Sequence, residues 1–177
     1  MQPRIETITD KKLIGNKIKM NLIHDKTGFL WSSFAPKIKD VKNRVGTDKI
    51  SMQIYEKDYF SAFNPTNEFE KWAAVEVENF DDVLADLEIF TLQGGSYAVF
   101  DYKGSSNDKS IFQYIFSTWL PNSQYTLDDR PHFEVLGEKY KNDDPNSEEE
   151  IWIPIREKIS GIILQNCNSL KNDLSLK

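Results

Sequence analysis

The chain has 177 residues, of which 39% are hydrophobic and 28% charged, with a formal net charge of −6, a composition expected of a soluble globular protein. That acidic balance argues against a general nucleic-acid binder, which needs clustered lysine and arginine, and against docking on anionic lipid. The single cysteine, Cys167, closes no internal disulfide, and Met1-Gln2-Pro3-Arg4-Ile5-Glu6 carries no apolar signal core, so a cytoplasmic location without membrane association is expected.

Ile18, Met20 and Leu22 alternate with Lys17, Lys19 and Asn21, which predicts a half-buried strand within residues 12–24. Leu30, Phe34, Ile38 and Val41 then recur at helical spacing, and Pro36 is expected to kink or divide that helix. After a turn over 44–48, Met52 and Ile54 alternate with Gln53 and Tyr55 in a second strand. A polar loop holding Asn64-Pro65-Thr66-Asn67 leads to a strand over 70–78, in which Trp72, Ala74 and Glu76 share a face. A short strand over 87–92 ends in the turn Gly94-Gly95.

The order then repeats. A strand is predicted over 97–103, and a helix over 110–120 with Ile111, Phe112, Ile115, Phe116 and Trp119 apolar, stopped by Pro121. Strands over 132–138 and 149–155 close the series. Trp72 and Trp152 lie 80 residues apart, as do Glu70 and Glu150, while Met52 and Phe133 lie 81 apart. The pattern predicts an α+β fold: duplicated strand–helix–strand–strand units related by a pseudo-twofold, sharing an antiparallel sheet. One domain is expected over 1–156, with halves of about 1–80 and 87–156, followed by an extension over 157–177 in which Ile159, Ile162, Ile163 and Leu164 form a short helix or an extra strand.

The last strand carries the chemistry. Alternation puts Glu150, Trp152 and Pro154 on one face and Ile151, Ile153 and Ile155 on the other. A carboxylate beside an indole either lies on a solvated face or lines a concave site for something cationic and flat, because aromatic faces and carboxylates both attract cations. Of the run Glu148-Glu149-Glu150, only Glu150 is tied to the tryptophan face, and the rest reads as solvated. Glu134 faces away from Phe133 and Val135, which makes it a candidate for the same cleft, together with its repeat partner Gln53 and with Tyr55. Glu70 and Trp72 are the first-half copy. The lone histidines, His24 and His132, have no ligand spacing and are expected at the surface or in loops, so neither a metal nor a cofactor is expected.

These features resemble the GyrI-like effector-binding domains, the ligand modules of many AraC-type and multidrug-responsive regulators. The markers are Gly94-Gly95-Ser96-Tyr97-Ala98-Val99-Phe100, Glu150-Ile151-Trp152-Ile153-Pro154-Ile155, Leu13-Ile14-Gly15, Leu30-Trp31 with Phe34, and Phe133-Glu134-Val135. The resemblance implies a helix from each half and a central ligand cleft, aromatic-lined and acidic, selecting bulky lipophilic cations. Glu150 matches the family's acidic position and Trp152 its aromatic neighbour. Nothing precedes Pro3 that reads as a helix-turn-helix, so the chain looks like the stand-alone, integron-associated members, and direct transcriptional control is not expected. The expected function is a non-catalytic small-molecule binder. The alternative is a hydrolase of cyclopropane-bearing DNA-alkylating compounds, with a cleft glutamate aided by Tyr97 or Tyr114. The partners implied are an aromatic or cationic small molecule and, at the protein level, a regulator or a topoisomerase.

Overall fold

Strands dominate the computed structural model, which describes residues 1–158. In chain order they are β1 (Arg4–Ile8), β2 (Lys11–Met20), β3 (Lys49–Ile54), β4 (Phe69–Val77), β5 (Glu88–Leu92), β6 (Gly95–Lys103), β7 (Tyr125–Leu127), β8 (His132–Leu136) and β9 (Glu148–Glu157). Helix α1 (Thr27–Phe34) follows β2, and α2 (Ser110–Tyr114) follows β6. The helix or strand expected around Ile159 and Leu164 lies outside the described residues.

Pro36 divides the first helix as expected: α1 ends at Phe34 and the chain continues as a 3-10 turn over Ala35–Asp40. Pro121 does not stop the second helix at Leu120. After α2 the chain widens into a π turn, Ile115–Trp119, and a last helical turn, Leu120–Asn122, contains the proline. Proline is tolerated in the first turn of a helical segment, where its missing donor is not needed. The first long strand ends at Met20 rather than near His24, because the Asn21 side chain accepts the backbone N–H groups of Ile23 and His24 and turns the chain.

All strand pairs are antiparallel, in the order β1-β6-β9-β8-β3-β4-β2-β5, with β7 attached to β9. Exchanging β1 with β5, β6 with β2, β9 with β4, and β8 with β3 leaves this order unchanged, which is the pseudo-twofold. Its axis passes at the centre of the β3–β8 pair, where Met52 faces Phe133. Those two residues are also repeat partners. Trp72 beside Met52 and Trp152 beside Phe133 extend the symmetry outward.

The ends of this order must meet. Thr9 and Asp10 alone join β1 to β2, and Gln93 and Gly94 alone join β5 to β6, although each pair sits far apart in the sheet. The sheet therefore curls until its edges approach. Asp10 Oδ1 accepts the Gly94 N–H at 2.8 Å, and Gly94 packs so closely on Ile8 and Thr9 that a Cβ there would overlap their backbone. Inside the curl lies one core, with Leu13, Met52, Trp72, Leu92, Tyr97, Val99 and Phe133 buried. The outer, convex face carries both helices. Leu30 and Phe34 of α1 pack on Ile14, Ala73 and Val75, while Ile111, Ile115 and Trp119 pack on Phe100, Ile151 and Ile153.

Candidate functional site

The curled face holds both Glu-x-Trp pairs. Trp152 Nε1 donates to Glu150 at 3.0 Å, and Trp72 Nε1 donates to Glu70 at 2.6 Å. Each pair already has a cation, and the chain supplies it. Arg4 of β1 bonds Glu150 through Nη2 and Asp101 through Nη1 at 2.6 Å, with its guanidinium 5.9 Å from the Trp152 ring centre. Lys17 lies 3.3 Å from Glu70 and 3.2 Å from Glu88, with its ammonium 5.3 Å from the Trp72 ring centre. The chemistry of an acidic aromatic cation site is present twice, and it is closed from within.

The convex face is different. Between the two helices, residues of opposite parity emerge at the centre of the sheet: Ser51 and Gln53 from β3, Lys71 from β4, His132 and Glu134 from β8, and Glu149 from β9. Lys71 is only 5% exposed. Its Nζ stands 3.5 Å from Glu134 Oε2, and Gln53 Nε2 donates to Glu134 Oε1 at 3.0 Å. Burial opposes ionisation of Glu134, yet Lys71 and the hydrogen bonds from Ser51 and Gln53 prevail and hold its carboxyl below the ordinary value. Glu149 has no such support. Burial, followed by the neighbouring Glu134 charge, pushes it up to about 7, against weaker opposing effects of Lys109 and Lys71.

Aromatic rings line the same side. His132 is buried, and burial depresses it to about 3, so its ring is neutral. Phe116 and His132 lie near parallel with centroids 6.0 Å apart, and Tyr55 meets His132 edge-on at 5.0 Å. Burial also raises the Tyr55 hydroxyl far above its usual value.

A family model described as integron-associated effector binding protein (Cass2) matches residues 4–155. The chain belongs to this family. It is 28% identical over 133 residues to the transcriptional regulator BrlR of Pseudomonas aeruginosa, covering 74% of this chain and 47% of BrlR, so it spans about half of that relative's length. Among solved structures it resembles SAV2435 bound to tetraphenylphosphonium, with a TM-score of 0.65 at 20% identity over 88% of this chain and 94% of that one. It also resembles the integron cassette protein VCH_CASS2 of Vibrio cholerae, with a TM-score of 0.60 at 17% identity over 88% and 96%. At these identities the likeness to solved structures shows the fold. The chain is thus an effector-binding domain related to the ligand modules of regulators. Among the described residues, no helix of this Cass2 family member is long and apolar enough to cross a membrane.

Against this geometry, the nine residues singled out in the sequence do not line one cleft. Glu150, Trp152, Glu70, Trp72 and Tyr97 share the curled face, whereas Glu134, Gln53 and Tyr55 share the convex one. Glu134 does not join Glu150, because adjacent strands pair Val135, not Glu134, with Glu150. Tyr97 is fully buried, lies under Arg130 at 4.6 Å, and is pushed up to about 12 by burial. Tyr114 Oη donates to the Met1 carbonyl at 2.6 Å. Glu149, expected in solvent, is half-buried on the helix side, and His132, expected at the surface, is in the core. Both follow from strand parity: Glu149 shares the helix-covered face with Ile151 and Ile153, and His132 shares it with Glu134 and is covered by Tyr55 and Phe116. Lys71 was detectable the same way, as a lysine in phase with Ala73 and Val75. Phe60, whose ring stacks on His132 with centroids 5.3 Å apart, comes from a loop and had no periodic signal.

Proposed function

We propose that this protein binds bulky aromatic cations in the groove between its two helices, with Glu134 and Glu149 as the countercharge. The observation behind it is a pair of neighbouring carboxylates, Glu134 held by the buried Lys71 and Glu149 raised by burial and by the Glu134 charge despite Lys109 and Lys71, beside aromatic walls at Tyr55, Phe116 and His132. Glu149 is about half protonated near pH 7, and a second cation brought beside it favours its ionised form, since a desolvated carboxylate is stabilised by a compensating charge. The tetraphenylphosphonium held by SAV2435 is a cation of the expected class. Glu150 and Trp152, together with Glu70 and Trp72, act structurally in this reading, as anchors for Arg4 and Lys17.

Binding of such a cation near pH 7 should release a proton from Glu149. Calorimetry with tetraphenylphosphonium in buffers of different ionisation enthalpy measures that release. A release that vanishes in Glu149→Gln supports the reading, and cation binding without proton release at pH 6.5–7 contradicts the role of Glu149.

The same pair favours a second reading. An ionised Glu134 beside a protonated Glu149 is an arrangement suited to general base and acid, as hydrolysis of a strained alkylating compound requires. Loss of a cyclopropane-bearing probe over time, abolished by Glu134→Gln, separates turnover from binding.

A further inference from the structure

The groove already holds an aromatic ring that belongs to neither helix nor sheet. The loop over 55–68, between β3 and β4, turns back so that Phe60 lies flat beside His132, with centroids 5.3 Å apart and planes at 10°, and beside Phe116 at 5.3 Å and 28°. Tyr55 closes the cluster edge-on to Phe60 at 4.9 Å. Three near-parallel rings therefore meet at the His132 end of the helix side, two fixed on β8 and the π turn and one carried by a loop.

The loop makes its hydrogen bonds mostly within itself, and the Tyr59 ring anchors it in a small core with Met20 and Phe69. Tyr59 N–H bonds the Glu56 carbonyl at 2.9 Å, Ala62 N–H the Asp58 carbonyl at 3.0 Å, and Asn67 Nδ2 the Ala62 carbonyl at 3.0 Å. The backbone bond tying it to the β2 end, Leu22 N–H to the Pro65 carbonyl at 3.1 Å, sits at its far side. Two groups of the loop are poorly matched to this position: the buried Tyr59 hydroxyl has no hydrogen-bond partner among the described residues, and Phe63 is 57% exposed. Outward movement of the loop would hydrate that hydroxyl, which lowers the cost of opening. The equivalent loop in the second half behaves otherwise. Its Asn142 and Asp143 bond Ser106 and Asn107 of a neighbouring loop, and its Tyr140 lies near Glu149 and Glu134 rather than on the His132 ring.

We propose that Phe60 is an internal plug, occupying the aryl subsite formed by His132, Phe116 and Tyr55, and that a flat aromatic ligand binds by displacing it as the 57–67 loop swings out. This rests on the groove being the ligand site. A plug that is closed most of the time weakens apparent affinity by the closed-to-open ratio. A wall residue does the reverse and strengthens it by stacking.

The two roles predict opposite signs. N-methylacridinium, a flat cation, is titrated by fluorescence against wild type, Phe60→Ala and Phe60→Leu, the leucine variant preserving apolar packing should alanine unfold the loop. The plug predicts affinity raised on the order of tenfold in either folded variant. In wild type, amide hydrogen exchange across 57–67 should become faster on saturation, because bound ligand holds the loop out. Unchanged or weakened affinity in both variants, or slower loop exchange on saturation, overturns the plug while leaving the groove as the binding site. Absence of binding by wild type and both variants removes the reading of the groove, and the plug with it.

Discussion

Glu134 and Glu150 occupy neighbouring strands of one sheet, and what separates them is the cation each one meets. Arg4 reaches Glu150 from β1 on a face where Trp152 already donates to the carboxylate, so that charge is spent internally. Glu134 meets a buried lysine at 3.5 Å, and its charge in turn helps to raise Glu149. His132 beside them gives a residue-level test through pH. Its folded-state value is depressed by burial to about 3, whereas an unfolded histidine titrates near 6.5. The unfolded chain therefore takes up a proton that the folded one refuses, and the stability contribution is complete above about pH 6.5 and is lost as pH falls toward 3. Between pH 7 and pH 5 the wild type should lose about 2 kcal/mol relative to His132→Phe, read from urea unfolding at both pH values. A difference between the two proteins that is the same at both pH values would contradict a buried neutral imidazole.

At the level of elements, the strands that alternate cleanly were legible because one face meets helices and the other the curled core. β1 and β7 were not. In β1, Arg4 and Glu6 occupy inward-facing positions and satisfy one another and Glu150, so the apolar alternation that marks a strand is missing. β7 has three residues, too few for any period. Two glycines test how tightly the elements are held. Gly15 of β2 lies against the backbone of Ala73 and Ala74, where a Cβ would overlap it, while nothing lies within 4 Å of a Cβ at Gly28 in α1. Gly15→Ala should cost about 1–3 kcal/mol or more by forcing β2 from β4. Gly28→Ala should instead stabilise by roughly 0.5 kcal/mol through helix propensity. Urea midpoints compare the two, and a tolerated Gly15→Ala would mean that the β2–β4 contact is looser than described.

Over the whole molecule, the duplication was readable from two tryptophans 80 residues apart, and the pseudo-twofold it implied runs through the Met52–Phe133 pair. The location of the groove was not readable. Period two separates the two faces of a strand but does not say which face the helices cover, and the cations closing the Glu-x-Trp pairs lie at Arg4 and Lys17, far from both in sequence. The symmetry is broken in the groove itself: Gln53 stands where the second half has Glu134, and Ser51 where it has His132. These positions are joined by the 3.0 Å bond from Gln53 to Glu134. Exchanging the pair, as Gln53→Glu with Glu134→Gln, moves the charge across the axis by one side chain. Cation affinity should then return to within about tenfold of wild type, a difference of about 1.4 kcal/mol. A double variant no better than Glu134→Gln alone would tie the site to the geometry of one half.

In the function proposed here, aromatic cations bind on the helix side of the sheet and not on the curled face. Its most direct measurement is the affinity of wild type, Glu134→Gln and Glu150→Gln for N-methylacridinium and for neutral acridine at pH 8. Glu134→Gln should weaken the cation by about 1.5–3 kcal/mol, the scale of a charge-assisted contact, and leave the neutral ligand nearly unchanged. Glu150→Gln should leave both ligands bound as in wild type. Loss of cation binding in Glu150→Gln with none in Glu134→Gln would contradict the account.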